Sequence, residues 1–87
     1  MESFGSRLKA ARRARHLAQE TVARAADISL SHYRTLEHDR AQPRLETAVR
    51  LAIALGVGVE TLSPEYARIP GDKSSYPHDY DPYGRAS

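Results

Sequence analysis

A compact all-α domain of five short helices, followed by a flexible C-terminal tail, is the fold that this sequence predicts. Three observations carry it. Apolar residues recur every three to four positions through residues 4–62, the period of a helix with one buried face. No segment alternates between apolar and polar as a half-buried strand does. The breaks between periodic stretches are short and hold Pro43, Gly56 and the Ser63-Pro64 pair, residues that end helices or cannot sit inside them. A chain of 87 residues has room for one small core and is only marginally stable alone. Domains of this size often gain stability by dimerising.

The first helix is expected from about Ser6 to Arg15. Phe4, Leu8, Ala11 and Ala14 or Arg15 share one face, and Arg7, Arg13 and Arg15 crowd the rest. The second begins near Ala18 with Val22, Ala23 and Ala26 inward. The third opens at Ser29, a good N-cap residue, and runs through Tyr33, Leu36 and Glu37. Asp39 to Arg44 is read as a loop because Pro43 cannot continue a helix. The fourth starts near Leu45 and lines up Leu45, Ala48, Leu51, Ala52 and Leu55, with Gly56 placed to end it in a left-handed residue. A fifth, short helix covers Val59 to Leu62.

Composition divides the chain into a domain at 1–68 and a tail at 69–87. The tail is rich in Pro, Gly, Asp and Ser and has almost nothing aliphatic to bury, so it is expected to be disordered or loosely docked. Tyr76, Tyr80 and Tyr83 are its unusual feature. They are either solvated turn residues or a surface for a protein partner.

Charge is uneven. The net charge is +2, yet residues 1–44 carry nine Lys/Arg against five Asp/Glu, while residues 45–87 carry four against six. A basic first half suits a polyanionic partner, although Arg7, Lys9, Arg13 and Arg15 are read first as a solvated helix face. The chain has no cysteine, which removes disulfides, thiolate metal sites and cysteine nucleophiles. The four histidines lack the spacing of a metal site, so neither a metal nor a cofactor is expected. Ser29 and Ser31 sit in no nucleophile elbow, and no paired carboxylates or phosphate-cradling glycine loop point to an enzyme. The N-terminus has no signal-peptide core and no stretch approaches the ~20 apolar residues of a membrane span. A cytoplasmic, nucleoid-associated location is the resulting expectation.

The stretch from Leu17 to Glu37 therefore holds two short helices joined by a tight turn, with the small Ala23 where they must approach closely. Such a pair can lay one helix across a DNA backbone and the next in the major groove, about 12 Å wide. Leu8, Arg12, Leu17, Gln19, Glu20, Val22, Ala23, Ile28, Ser29, Ser31, Leu36, Glu37, Pro43, Leu45, Glu46, Thr47, Leu51, Ala52, Leu55, Gly56 and Val57 stand in the order and spacing of a known family. The chain resembles the lambda repressor and Cro type of helix-turn-helix regulator, the Xre family, from about Phe4 to Leu62.

That resemblance implies a sequence-specific regulator of transcription, a repressor acting as a dimer on a palindromic operator in double-stranded DNA. It implies base reading by Leu30, Ser31, Arg34 and Thr35, with Arg34 foremost because a guanidinium can bond guanine O6 and N7 together. Leu30 would meet a thymine methyl. It places Gln19, Ser29, His32, His38, Arg40 and Arg44 near phosphates, and it makes Arg12 and Glu37 a structural ion pair between the first helix and the end of the third. The dimer surface is expected around Val57, Val59 and Leu62. An antitoxin of a toxin–antitoxin pair, using the tail on its partner, or a restriction–modification controller protein would share the same domain. The chain departs from the family at His16, Asp27 and Asp39, where glycine is usual. It departs again at Ala26, where leucine is usual, and at Tyr33, where an aliphatic residue normally faces the core and a hydroxyl now needs a partner.

Overall fold

The computed structural model describes residues 2–68. Five α-helices follow in order: α1 (Phe4–Ala14), α2 (Gln19–Ala25), α3 (Leu30–Glu37), α4 (Leu45–Leu55) and α5 (Val59–Leu62), with a 3₁₀ turn at Pro64–Arg68. Among the described residues there is no strand. The tail with Tyr76, Tyr80 and Tyr83 lies outside the described residues.

Local chemistry sets the helix starts. Ser3 Oγ accepts from the Ser6 backbone N–H at 3.1 Å, so α1 begins two residues earlier than the periodicity predicts. Ser29 Oγ accepts from the His32 N–H at 3.0 Å and caps α3.

The helix ends share one device. After α1, α2, α3 and α4 the chain takes a single left-handed residue, respectively His16 (φ 55°), Asp27 (φ 60°), Asp39 (φ 59°) and Gly56 (φ 70°). At each end the next residue's N–H reaches back five positions: Leu17 to Arg12, Ile28 to Ala23, Arg40 to Thr35 and Val57 to Ala52, at 3.0–3.2 Å. This is the Schellman closure, which satisfies carbonyls that the helix leaves without partners. Among these four ends, α4 alone uses glycine for it.

Asp39 does a second job from its left-handed position. Its Oδ1 accepts from the Gly5 N–H at 2.9 Å, and its Oδ2 accepts from Ser3 Oγ at 2.5 Å. It therefore caps the first turn of α1 from across the fold. Gly5 lies very close to the end of α3. A Cβ there would stand 2.6 Å from the Leu36 carbonyl oxygen and closer still to that of Glu37, so no side chain fits.

The core gathers Leu8, Ala11, Val22, Ala23, Ala26, Tyr33, Leu36, Leu51, Ala52, Leu55 and Leu62, with Phe4, Leu17, Ile28, Ala54, Val57 and Val59 packed around it. Tyr33 is fully buried in the same cluster as the small Ala26. Three expectations need correction. Ala14 and Arg15 are exposed rather than inward. Leu45, expected on the buried stripe of α4, is 49% exposed because it opens the helix beyond the reach of the core. Leu62, expected on a dimer surface, is 0% exposed. It is the one buried position of the one-turn α5, and the core takes it.

Arg7 also departs from the solvated face expected of it. Its Nε donates to the Leu62 carbonyl at 2.8 Å and its Nη1 to that of Glu2 at 3.1 Å. It fastens α1 to α5, while Lys9, Arg13 and Arg15 remain exposed.

The helix ends make a paired prediction. His16→Gly relieves a left-handed side chain and should raise unfolding stability by about 0.5–1 kcal/mol. Asp39→Gly relieves the same strain but removes the cap on Ser3 and Gly5, so it should lower the urea midpoint instead. Equal gains in both variants would show that the cap contributes nothing.

Candidate nucleic-acid interface

The face of α3 divides as its period requires. Tyr33, Leu36 and Glu37 point into the domain, whereas Ser31, His32 and Arg34 are exposed and Leu30 and Thr35 half-exposed. α2 packs against α3. Ala23 of α2 is buried, and its carbonyl accepts from the Ile28 N–H across the turn. The turn holds at Asp27 without glycine because a short polar side chain tolerates the left-handed region.

Leu30, Ser31, Arg34, Thr35, His38 and Arg40 line one shallow, open concavity of about 390 Å³ along the outer side of α3. All four residues expected to read bases are thus brought together, with two of those expected at phosphates. Ser29, His32 and Arg44 do not line this concavity; Ser29 and His32 sit at the start of α3, and Arg44 is the exposed N-cap residue of α4. The Thr35 hydroxyl donates to the Ser31 carbonyl at 2.9 Å. Its proton is therefore committed to the helix, which leaves its methyl and lone pairs as contact groups.

Beneath this surface the Glu37 carboxylate gathers three helices. Oε2 accepts from Arg12 Nε at 2.7 Å and from the Tyr33 hydroxyl at 2.6 Å. Oε1 accepts from Gln19 Nε2 at 3.0 Å and from Arg12 Nη2 at 3.3 Å. A carboxylate offers about four lone-pair sites, and each has a donor here. Arg12 Nη1 donates onward to the Leu17 carbonyl at 3.0 Å, which ties in the link between α1 and α2. No buried side-chain polar atom among the described residues lacks a partner.

Sequence reasoning alone does not reach two of these contacts. The Tyr33 hydroxyl needs a partner, and its i, i+4 spacing to Glu37 is the signal that could supply one. Gln19 is expected to meet phosphate; its side chain instead faces inward to Glu37, with Oε1 accepting from Arg34 Nε at 3.3 Å.

The electrostatics follow from the contacts. Burial pushes the Glu37 carboxyl up, but hydrogen bonds from Arg12, Tyr33 and Gln19 with the Arg12 charge outweigh it and hold the group below the usual carboxylate range. Burial, and then the bond to Glu37, push the Tyr33 phenol well up, so it remains a donor. The Ser3 and Gly5 hydrogen bonds likewise hold exposed Asp39 below its usual range.

A carboxyl with a depressed folded-state pKa contributes stability that is present above its unfolded value and lost as pH falls through the folded one. The stability that Glu37 and Asp39 contribute should therefore be fully present above the ordinary carboxylate range, about pH 4–5, and be lost as pH falls below it. Glu37→Gln should lower stability at neutral pH and flatten that acid limb in urea titrations. Glu37→Ala should cost about 3–5 kcal/mol, because it strands the Arg12 charge. An unchanged acid limb in Glu37→Gln would mean that Glu37 does not set it.

Comparisons with known proteins agree with this geometry. Residues 8–62 match the family model described as helix-turn-helix. The immunity repressor protein of Bacillus phage phi105 is 36% identical over 74 residues, which is 85% of this chain and 51% of that protein. The chain thus spans about half the length of that relative. The crystal structure of the restriction-modification controller protein C.AhdI from Aeromonas hydrophila superposes with a TM-score of 0.66 at 32% identity, covering 68% of this chain and 89% of that one. No helix among the described residues is long and apolar enough to cross a membrane. With two helices set at a tight turn, an outward α3 and a family match over most of the domain, the chain belongs to the lambda repressor and Cro type of helix-turn-helix family.

Proposed function

We propose that this regulator binds a specific double-stranded operator as a homodimer, with α3 of each copy in the major groove. The observation that carries it is the outer side of α3, where Leu30, Ser31, Arg34 and Thr35 share one concavity while the inner side of the helix is fixed through Glu37. Arg34 reads guanine, Leu30 contacts a thymine methyl, and Ser31 and Thr35 complete the base-edge contacts. Gln19 through its backbone N–H, together with Ser29, His32, His38, Arg40 and Arg44, holds the flanking phosphates. Such contacts set register without reading sequence.

A single module contacts little DNA, so two copies on half-sites about 34 Å apart are the natural arrangement. Half-buried Val57 and Val59 support an apolar meeting surface, and Leu62, being internal, is not part of it. Ile53, 70% exposed on α4, is a large apolar side chain with the exposure such a meeting surface needs. An operator that is palindromic follows from two-fold symmetry of the dimer.

A restriction–modification controller is the second reading, favoured by the likeness to C.AhdI over 89% of that chain. Its operator would lie beside restriction and modification genes, whereas an immunity repressor's would lie among phage genes. The antitoxin reading rests on the tail at 69–87, outside the described residues.

Two measurements test this assignment. Selection from a random DNA pool should yield a two-fold operator, and Arg34→Ala should then lose about 1–3 kcal/mol of affinity with relaxed preference at one base position per half-site. Unchanged operator affinity in a titration would remove Arg34 from the interface. Ile53→Asp should weaken self-association in sedimentation equilibrium at least about tenfold, roughly the contribution of one aliphatic side chain buried between subunits, while the thermal stability of the monomer stays the same. A dimer indifferent to this change meets through some other surface.

A further inference from the structure

Gln19 lies between the buried carboxylate and the exposed reading arginine. Its Nε2 donates to Glu37 Oε1 at 3.0 Å, and its Oε1 accepts from Arg34 Nε at 3.3 Å. The orientation of the amide is forced. A carboxylate only accepts and a guanidinium only donates, so the nitrogen must face Glu37 and the oxygen must face Arg34. A flipped amide would lose both bonds. Glu37 is itself immobilised by Arg12 and Tyr33. A continuous chain of hydrogen bonds therefore runs from the core, through Gln19, to an exposed residue of the recognition helix.

The consequence is directional. An exposed arginine samples many rotamers, and ordering it at an interface opposes binding. Here the Nε edge is already engaged, which leaves Nη1 and Nη2 as the outward pair. Two parallel N–H groups at the tip of the guanidinium match the O6 and N7 acceptors of guanine. The same engagement withholds the Nε edge from DNA and so narrows the ways in which Arg34 can meet a base.

We propose that Gln19 is a positioning residue for base reading: through its side-chain amide it transmits the fixed position of Glu37 to the Arg34 guanidinium and sharpens the preference for guanine. This rests on Arg34 as the base-reading residue. It assigns to the Gln19 side chain a role distinct from the phosphate contact of its backbone.

The test uses the full chain, its selected operator, and a second duplex altered only at the base pair where Arg34→Ala loses preference. Gln19→Met keeps length and shape but can neither donate to Glu37 nor accept from Arg34. It should reduce discrimination between the two duplexes by about fivefold, a normal size for a coupled pair. In an Arg34→Ala background the same change should not alter discrimination further, and the salt dependence of operator binding should keep its slope, because every phosphate contact remains. If Gln19→Met weakens binding to both duplexes equally, or lowers discrimination to the same extent without Arg34, the coupling is overturned. If Arg34→Ala alters preference at no base pair, the assignment of Arg34 falls and the inference falls with it. The first two results leave that assignment intact.

Discussion

What α3 presents to solvent depends on how its inner side is held, and Glu37 holds it. An ionised carboxylate taken out of water is strongly unfavourable unless donors replace the solvent. Here Arg12 from α1, Gln19 from α2 and Tyr33 from α3 itself supply all of them. Because these donors come from three helices, a shift of any one of them breaks at least one of the bonds. Apolar packing alone would tolerate small slides and rotations. The carboxylate therefore fixes geometry as well as contributing stability, and it does so one turn from Arg34.

The opposite end of the same link is equally constrained. Gly5 brings the backbone of α1 against the carbonyls of Leu36 and Glu37, and Asp39 reaches back to cap Ser3 and Gly5. α1 is thus fastened to the C-terminal end of α3 by backbone contact, by a cap and by an ion pair. The cap explains why Asp39 is a left-handed residue other than glycine. Glycine would take the backbone angle with less strain but would leave the first turn of α1 without its acceptor. His16 and Asp27 hold the same backbone angle, and among the described residues neither side chain makes a cap of this kind. The three positions differ in chemistry although they share a geometry.

The helices and most of the core are legible in the amino-acid sequence because both follow from local spacing. Ser29, Pro43 and Gly56 mark a start, a break and an end where the structure has them. Leu8, Val22, Ala23, Leu36, Leu51 and Leu55 fall inward as their period requires. Periodicity misplaces Leu45, Ala14 and Arg15 because it says nothing about where along its length a helix leaves the core. It misplaces Leu62 for a related reason. An apolar residue at that position needs a neighbour, but spacing does not tell whether that neighbour is its own domain or another copy.

By itself, then, the sequence determined an all-α domain, the positions of its turns and the residues on the outer side of α3, since each depends on residues within a few positions of one another. Tertiary structure alone decided that Arg7 reaches Leu62, that Asp39 caps α1, that Gln19 joins Arg12 on Glu37, and that Gln19 in turn holds Arg34. Most of these bonds join groups 15 to 55 residues apart. Long polar side chains such as arginine, glutamine and glutamate can point to many partners, and only the meeting of particular helix faces selects one.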